Sequence, residues 1–145
     1  MPLNNAQQAI AVADLFQQIA QQMYVYIKTN IAELAKDKAG LKILLDDQAR
    51  IISYGSTLLS SAESITFGND PACFGMVDKA TKAINDNINT LKQTDKWIAF
   101  AGAVISLGAS IVTGKGSSIL TSAQTILNTF HVKMPGTGNG TGGQS

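Results

Sequence analysis

The chain is poor in the side chains that do chemistry. Its 145 residues include one cysteine and one histidine, Cys73 and His131, and its only glutamates are Glu33 and Glu63. A single cysteine excludes an intramolecular disulfide. The di-iron bundles need Glu-x-x-His pairs on facing helices, and neither glutamate has a histidine three residues on. A Cys–His nucleophile requires Cys73 and His131 to meet beside a third, orienting group. Cys73 sits close to Phe74 and Met76, where it reads as a small apolar core residue. Asp46 and Asp47 are adjacent and so point about 100° apart on a helix, as solvent charges do. These gaps predict no catalytic residues, no bound metal, no cofactor and no small-molecule substrate.

Charge is also scarce. Charged residues make up 14% of the chain, against about a quarter in ordinary soluble proteins. A net charge of +1 gives no basic surface for nucleic acid, which needs clustered Lys and Arg. No basic residue precedes Lys28, so the start lacks the charged region of a signal peptide. The expectation is a cytoplasmic protein, or one exported without a cleaved leader, with membrane association left open. After Asp95 there is no acidic residue, and beyond Trp97 only Lys115, Lys133 and His131 can carry positive charge. A surface so short of charge is common in chains that assemble with copies of themselves or meet a bilayer.

Short motifs give no chemistry. GASIVTGKGS fails the phosphate-loop pattern, because Ala109 stands five before Gly114 and Gly116 follows Lys115; it reads as a helix-hairpin turn. Gly138, Gly140 and Gly143 match a dinucleotide fingerprint only by letter. Asn139-Gly140-Thr141 is a glycosylation sequon without a secretory route. Asn85, Asn87 and Asn89 space like calcium ligands, but Thr90 and Lys96 replace the required Gly and Glu.

What is present is helical periodicity. Asn4 or Asn5 can cap a first helix. From there Val12, Phe16, Ile19, Met23, Ile27, Ile31 and Leu34 recur in steps of three and four, predicting one amphipathic helix over roughly 5–38. Gln7, Gln8, Gln17, Gln18, Gln21 and Gln22 take its other side, read as a solvated face, with glutamine ladders between chains as the alternative. Such a length without breakers suggests a coiled-coil-like partner. Gly40 either ends this helix or is passed through.

A second helix carries Leu41, Leu44, Leu45, Ile51, Ile52, Leu58 and Leu59; IISYGST also suits a short strand, but the 3.6 period continues on both sides. Asp70-Pro71 reads as N-cap and first residue of a third helix, over about 71–94, whose Asn85–Thr90 stretch should be its weakest part. Thr94 or Asp95 can cap the apolar segment that follows, and Ser117 or Ser118 the last helix, ending near Phe130.

The segment Trp97–Val112 has no charge. As a helix it places Trp97, Phe100, Val104, Leu107 and Ile111 on a large half, and Gly102, Ser106 and Ser110 on a small half. A helix apolar all round is buried in protein or in lipid. The reading is all-α: an antiparallel bundle of four to five helices over 1–134, with a long N-terminal amphipathic helix, a central apolar helix and a flexible Gly/Thr-rich tail over 135–145.

Two functions follow. The first is a non-enzymatic assembly module that self-associates, as a homo-oligomer, or binds a helical protein partner through Val12, Phe16, Ile19, Met23, Ile27, Ile31 and Leu34. The alternative is a membrane-active, pore-forming or inserting protein whose 97–130 hairpin leaves the bundle. There Trp97, Phe100, Gly102, Val104, Ser106, Leu107, Ser110 and Ile111 would meet lipid or partner. Sixteen residues fall short of the ~20 a bilayer requires, and Lys115 at the hairpin tip opposes insertion.

Overall fold

The computed structural model describes residues 4–131, and the tail at 135–145 lies outside them. The helices are α1 (Asn5–Thr29), α2 (Ile31–Leu34), α3 (Lys38–Ser60), α4 (Pro71–Asn87), α5 (Thr94–Thr113) and α6 (Gly116–Thr129), with no strand among the described residues. Helix α1 packs on α3, α3 on α5, α5 on α6 and α6 on α4, while α4 touches α1 over a short stretch. One core fills the bundle.

Local chemistry sets the boundaries. Asn4 and Gln7 close a capping box at the start of α1, with Gln7 N donating to Asn4 Oδ1 at 2.8 Å and Asn4 N to Gln7 Oε1 at 2.9 Å. The long first helix stops earlier than its periodicity suggests. Asn30 leaves the helical region (φ −110°, ψ 22°) and donates its side-chain amide to Tyr26 O at 2.9 Å. Asn competes for backbone groups in this way, which is why it ends helices. After the single turn α2, Asp37 caps α3, accepting from Gly40 N at 3.0 Å. Gly40 thus begins a helix instead of ending one, and any Cβ there would meet the Asp37 carboxylate.

Helix α3 runs unbroken through Gly55, so IISYGST is helix. Asp70 and Pro71 start α4 as expected, with Ala72 N donating to Asp70 Oδ1 at 2.9 Å. The α4 helix ends at Asn87, seven residues before position 94, inside the Asn-rich stretch. Asn87 caps its own termination by donating to Ala83 O. The expected caps of the last two helices are absent. Thr94 turns instead to Tyr26, hydroxyl to hydroxyl at 2.8 Å, Asp95 accepts only from Lys96 N, and α6 begins at Gly116, before Ser117 and Ser118.

Two glycines bring three helices together. A Cβ on Gly55 would lie 3.3 Å from Phe16 Cβ, and one on Gly108 would lie 2.8 Å from Phe16 Cε2 and 3.1 Å from Tyr54. Phe16, fully buried on α1, is therefore held between α3 and α5. Gln48 Nε2 donates to Ala20 O at 3.1 Å, so α1 and α3 run antiparallel, with 20 level with 48 and Ala13 level with Gly55. Gly114, at φ 73°, turns α5 back into α6, giving a second antiparallel hairpin. Tyr26 lies tilted against Trp97 (5.9 Å between ring centres), and Trp97 lies edge to face with Phe100, which in turn meets Phe130.

Candidate interaction surface

The stripe read as a self-association face is consumed inside the molecule. Val12, Phe16, Ile19, Met23, Ile27 and Leu34 are buried, and only Ile31, 49% exposed, reaches the surface. The coiled-coil-like partner of α1 is the chain's own α3. The apolar helix is likewise turned inward by its large half. Trp97, Phe100, Val104, Leu107 and Ile111 are buried, and Trp97 Nε1 donates to Leu91 O at 3.1 Å. Ser110 is buried with its hydroxyl on Ser106 O. Gly102 and Ser106 are exposed, and a Cβ on Gly102 would meet nothing within 4 Å. The helix is therefore covered on its large half, while its small half is open at Gly102 and Ser106 and covered at Ser110.

What remains outside is unevenly distributed. Among the described residues, the large apolar side chains left exposed all lie between Ile10 and Leu59, on α1, α2 or α3, at 42–51% exposure. Ile10, Tyr24 and Ile31 on one side, and Leu45, Ile52 and Leu59 on the other, repeat at intervals of seven or fourteen. Seven residues make nearly two turns, so Ile10 and Tyr24 line one edge of α1 and Leu45, Ile52 and Leu59 one edge of α3, with Ile31 following on α2. The antiparallel register set by Gln48 and Gly55 puts Tyr24 within one residue of the level of Leu45, and Ile10 within one residue of that of Leu59. Gln17 fills the missing rung beside Ile52. Between the two rows runs a shallow groove lined by Gln17, Ala20, Gln21, Tyr24, Gln48 and Ile52.

This ladder escapes sequence reading for a reason. On α1 and α2 its apolar members are separated by Asp14, Gln17, Gln21 and Lys28, so the opposite, richer stripe dominates the period. On α3, Leu45, Ile52 and Leu59 merge with the buried Leu44, Ile51 and Leu58 one residue earlier. Only the bundle separates the two sets.

Elsewhere the chemistry is quiet. Cys73 is fully buried and its thiol donates to Gly116 O at 3.3 Å. Burial and the Asp70 carboxylate push that thiol up in pKa, keeping it protonated and unreactive. His131 stands past the opposite end of α6 from Gly116, about 22 Å away at 1.5 Å per residue, so the two never form a dyad. Among the described residues no three His, Cys, Asp or Glu side chains converge as metal ligands. A second groove, between α1 and α4, is lined by Gln18, Gln21, Gln22 and Asn85 over Leu15, Ile84 and Ile88. Gln8, on the glutamine side of α1, is buried, and its Nε2 has no partner among the described residues.

No known protein family, curated protein or solved structure matches the chain.

Proposed function

We propose that this protein is a non-enzymatic assembly module that meets helices of another protein chain through the outer face of α1 and α3. The observation that supports the reading is the concentration of exposed large apolar side chains on α1, α3 and the short α2 that joins them. Scattered surface apolar residues need no explanation, whereas contiguous ones rimmed by polar groups mark interaction sites. Between the two apolar rows lie Gln17, Gln21 and Gln48, hydrogen-bonding side chains with no charge to desolvate.

A photo-crosslinking residue at position 52, in cells producing the protein, should yield protein adducts. The same residue at position 124, exposed on α6, should yield few. Equal labelling from both positions, or none from position 52, would remove the reading.

A membrane-active role is supported by a separate observation. Thr94–Thr113 is 20 residues long with mean hydropathy 1.5, and half of its apolar window is buried. From Trp97 to Phe130 the only charge is Lys115. The hydroxyls of Thr113, Thr121, Thr125 and Thr129 are already bonded to carbonyls four residues back, which lowers the cost of their entering lipid. Insertion would first have to strip Trp97, Phe100 and Leu107 from the core, so this reading ranks second. Co-flotation with anionic vesicles and dye release, both reduced by Gly102→Leu, is its expected result; no flotation with any lipid mixture would end it.

A further inference from the structure

Resting on the assembly reading, we infer that the occupant of the α1/α3 face is a second copy of this chain, related by a two-fold axis passing near Gln21 and Gln48. An isologous interface requires a surface complementary to itself, and the exposed side chains of α1 have that arrangement. Asp14 and Lys28 each stand seven residues from Gln21, one on either side. An axis at Gln21 therefore sets each Asp14 opposite the Lys28 of the other copy. Neither side chain has an ion-pair partner among the described residues; the bridges there are Lys42–Asp46 and Lys82–Asp78.

Helix α3 repeats the pattern. Gln48, whose amide reaches Ala20 O, lies at the level of the axis. Leu45 and Ile52 stand three residues before it and four after it, and are 47% exposed each. The rotation lays the Leu45 of one copy against the Ile52 of the other.

The residues nearest the axis suit a second copy. A side chain on a two-fold axis faces its own image, so a charge there would be repelled. Here the axis groove presents Gln17, Gln21 and Gln48. An amide carries both donor and acceptor and can satisfy its own image. Size agrees as well. Helix α1, 25 residues long, is about 37 Å, and two helices packed ~10 Å apart make a face ~20 Å wide. That footprint is roughly 700 Å² per copy, or about 1,400 Å² in all, within the range of specific, stable interfaces.

The test is sedimentation of the purified full chain from about 1 to about 300 μM (a span chosen from the Kd of a modest interface upward), together with site-directed crosslinking. We expect a dimer, weakened about fivefold or more by Asp14→Lys and restored by Asp14→Lys with Lys28→Asp. Under mild oxidation Gln21→Cys should give a covalent dimer, its new thiol meeting its own image across the axis. Gln124→Cys, exposed on α6, should not; Cys73 is buried and stays in place. A chain that is monomeric throughout overturns the inference. If position 52 still labels another protein in cells, the assembly reading survives with a different partner; without such labelling both fail. A dimer in which the double charge swap does not restore association, or in which Gln21→Cys does not crosslink, overturns the two-fold arrangement.

Discussion

At the scale of single residues, the glycines divide by what stands opposite them. Gly108 faces the Phe16 ring, and a methyl there would lie 2.8 Å from Cε2. Replacing it by alanine gains about 1 kcal/mol of helix propensity but overpacks a filled core, which costs about 1–3 kcal/mol. Gly108→Ala should therefore lower stability by about 1 kcal/mol. Gly102 faces open space, and Gly102→Ala should raise stability by up to about 1 kcal/mol, or ~2–4 °C in melting temperature for a chain of this size. Thermal melts of the two variants should move in opposite directions; a shared sign would refute the packing of Gly108 against Phe16.

Asp47 offers a second residue-scale outcome. Burial raises its pKa, Arg50 beside it pulls the other way, and Asp46 adds to the rise. A carboxyl whose folded pKa is raised contributes stability below its unfolded pKa of about 3.9, and loses it as pH climbs through the folded value. Asp47→Asn should consequently melt slightly higher than the parent at pH 7, with the gain gone by about pH 3. A lower melting temperature at pH 7 would mean that attraction to Arg50 outweighs burial.

At the scale of elements, caps decided what periodicity does not. The apolar stripe runs from Val12 to Leu34 without a break, yet the helix stops at Thr29 because Asn30 turns its amide back to Tyr26. Asp37 then restarts the chain as α3. Asp37→Ala should cost about 1 kcal/mol, the usual loss for an N-cap, detectable in urea unfolding as a lower midpoint at unchanged slope. No change would mean that the α2–α3 corner is held by Leu34 packing alone. Asp70-Pro71 and Gly114 were legible because their signals are strictly local. Thr94, Ser117 and Ser118 were not, because a hydroxyl's choice between capping and other partners, such as Tyr26, depends on what packing brings near it.

At the scale of the whole molecule, adjacent residues on α3 have opposite fates. Ile51 is fully buried and Ile52 is about half exposed. Ile51→Glu should unfold the protein, since a lone buried carboxylate loses its hydration without a partner. Ile52→Glu should leave the monomer fold intact, with an unchanged circular dichroism spectrum, and abolish the association proposed for the α1/α3 face. A variant at position 52 that unfolds as readily as one at 51 would contradict the burial pattern.

The sequence by itself determined an all-α chain, the apolar stripe along α1 and the apolar character of α5. Those properties follow from the period of side chains along one helix, which needs no knowledge of neighbours. Tertiary structure alone decided which of two apolar edges of α3 is covered, that α1 is satisfied by its own chain, and that α5 leaves Gly102 and Ser106 exposed while covering Ser110. Those outcomes depend on which helix lies beside which, and here they turn on two glycines that let α3 and α5 close around Phe16.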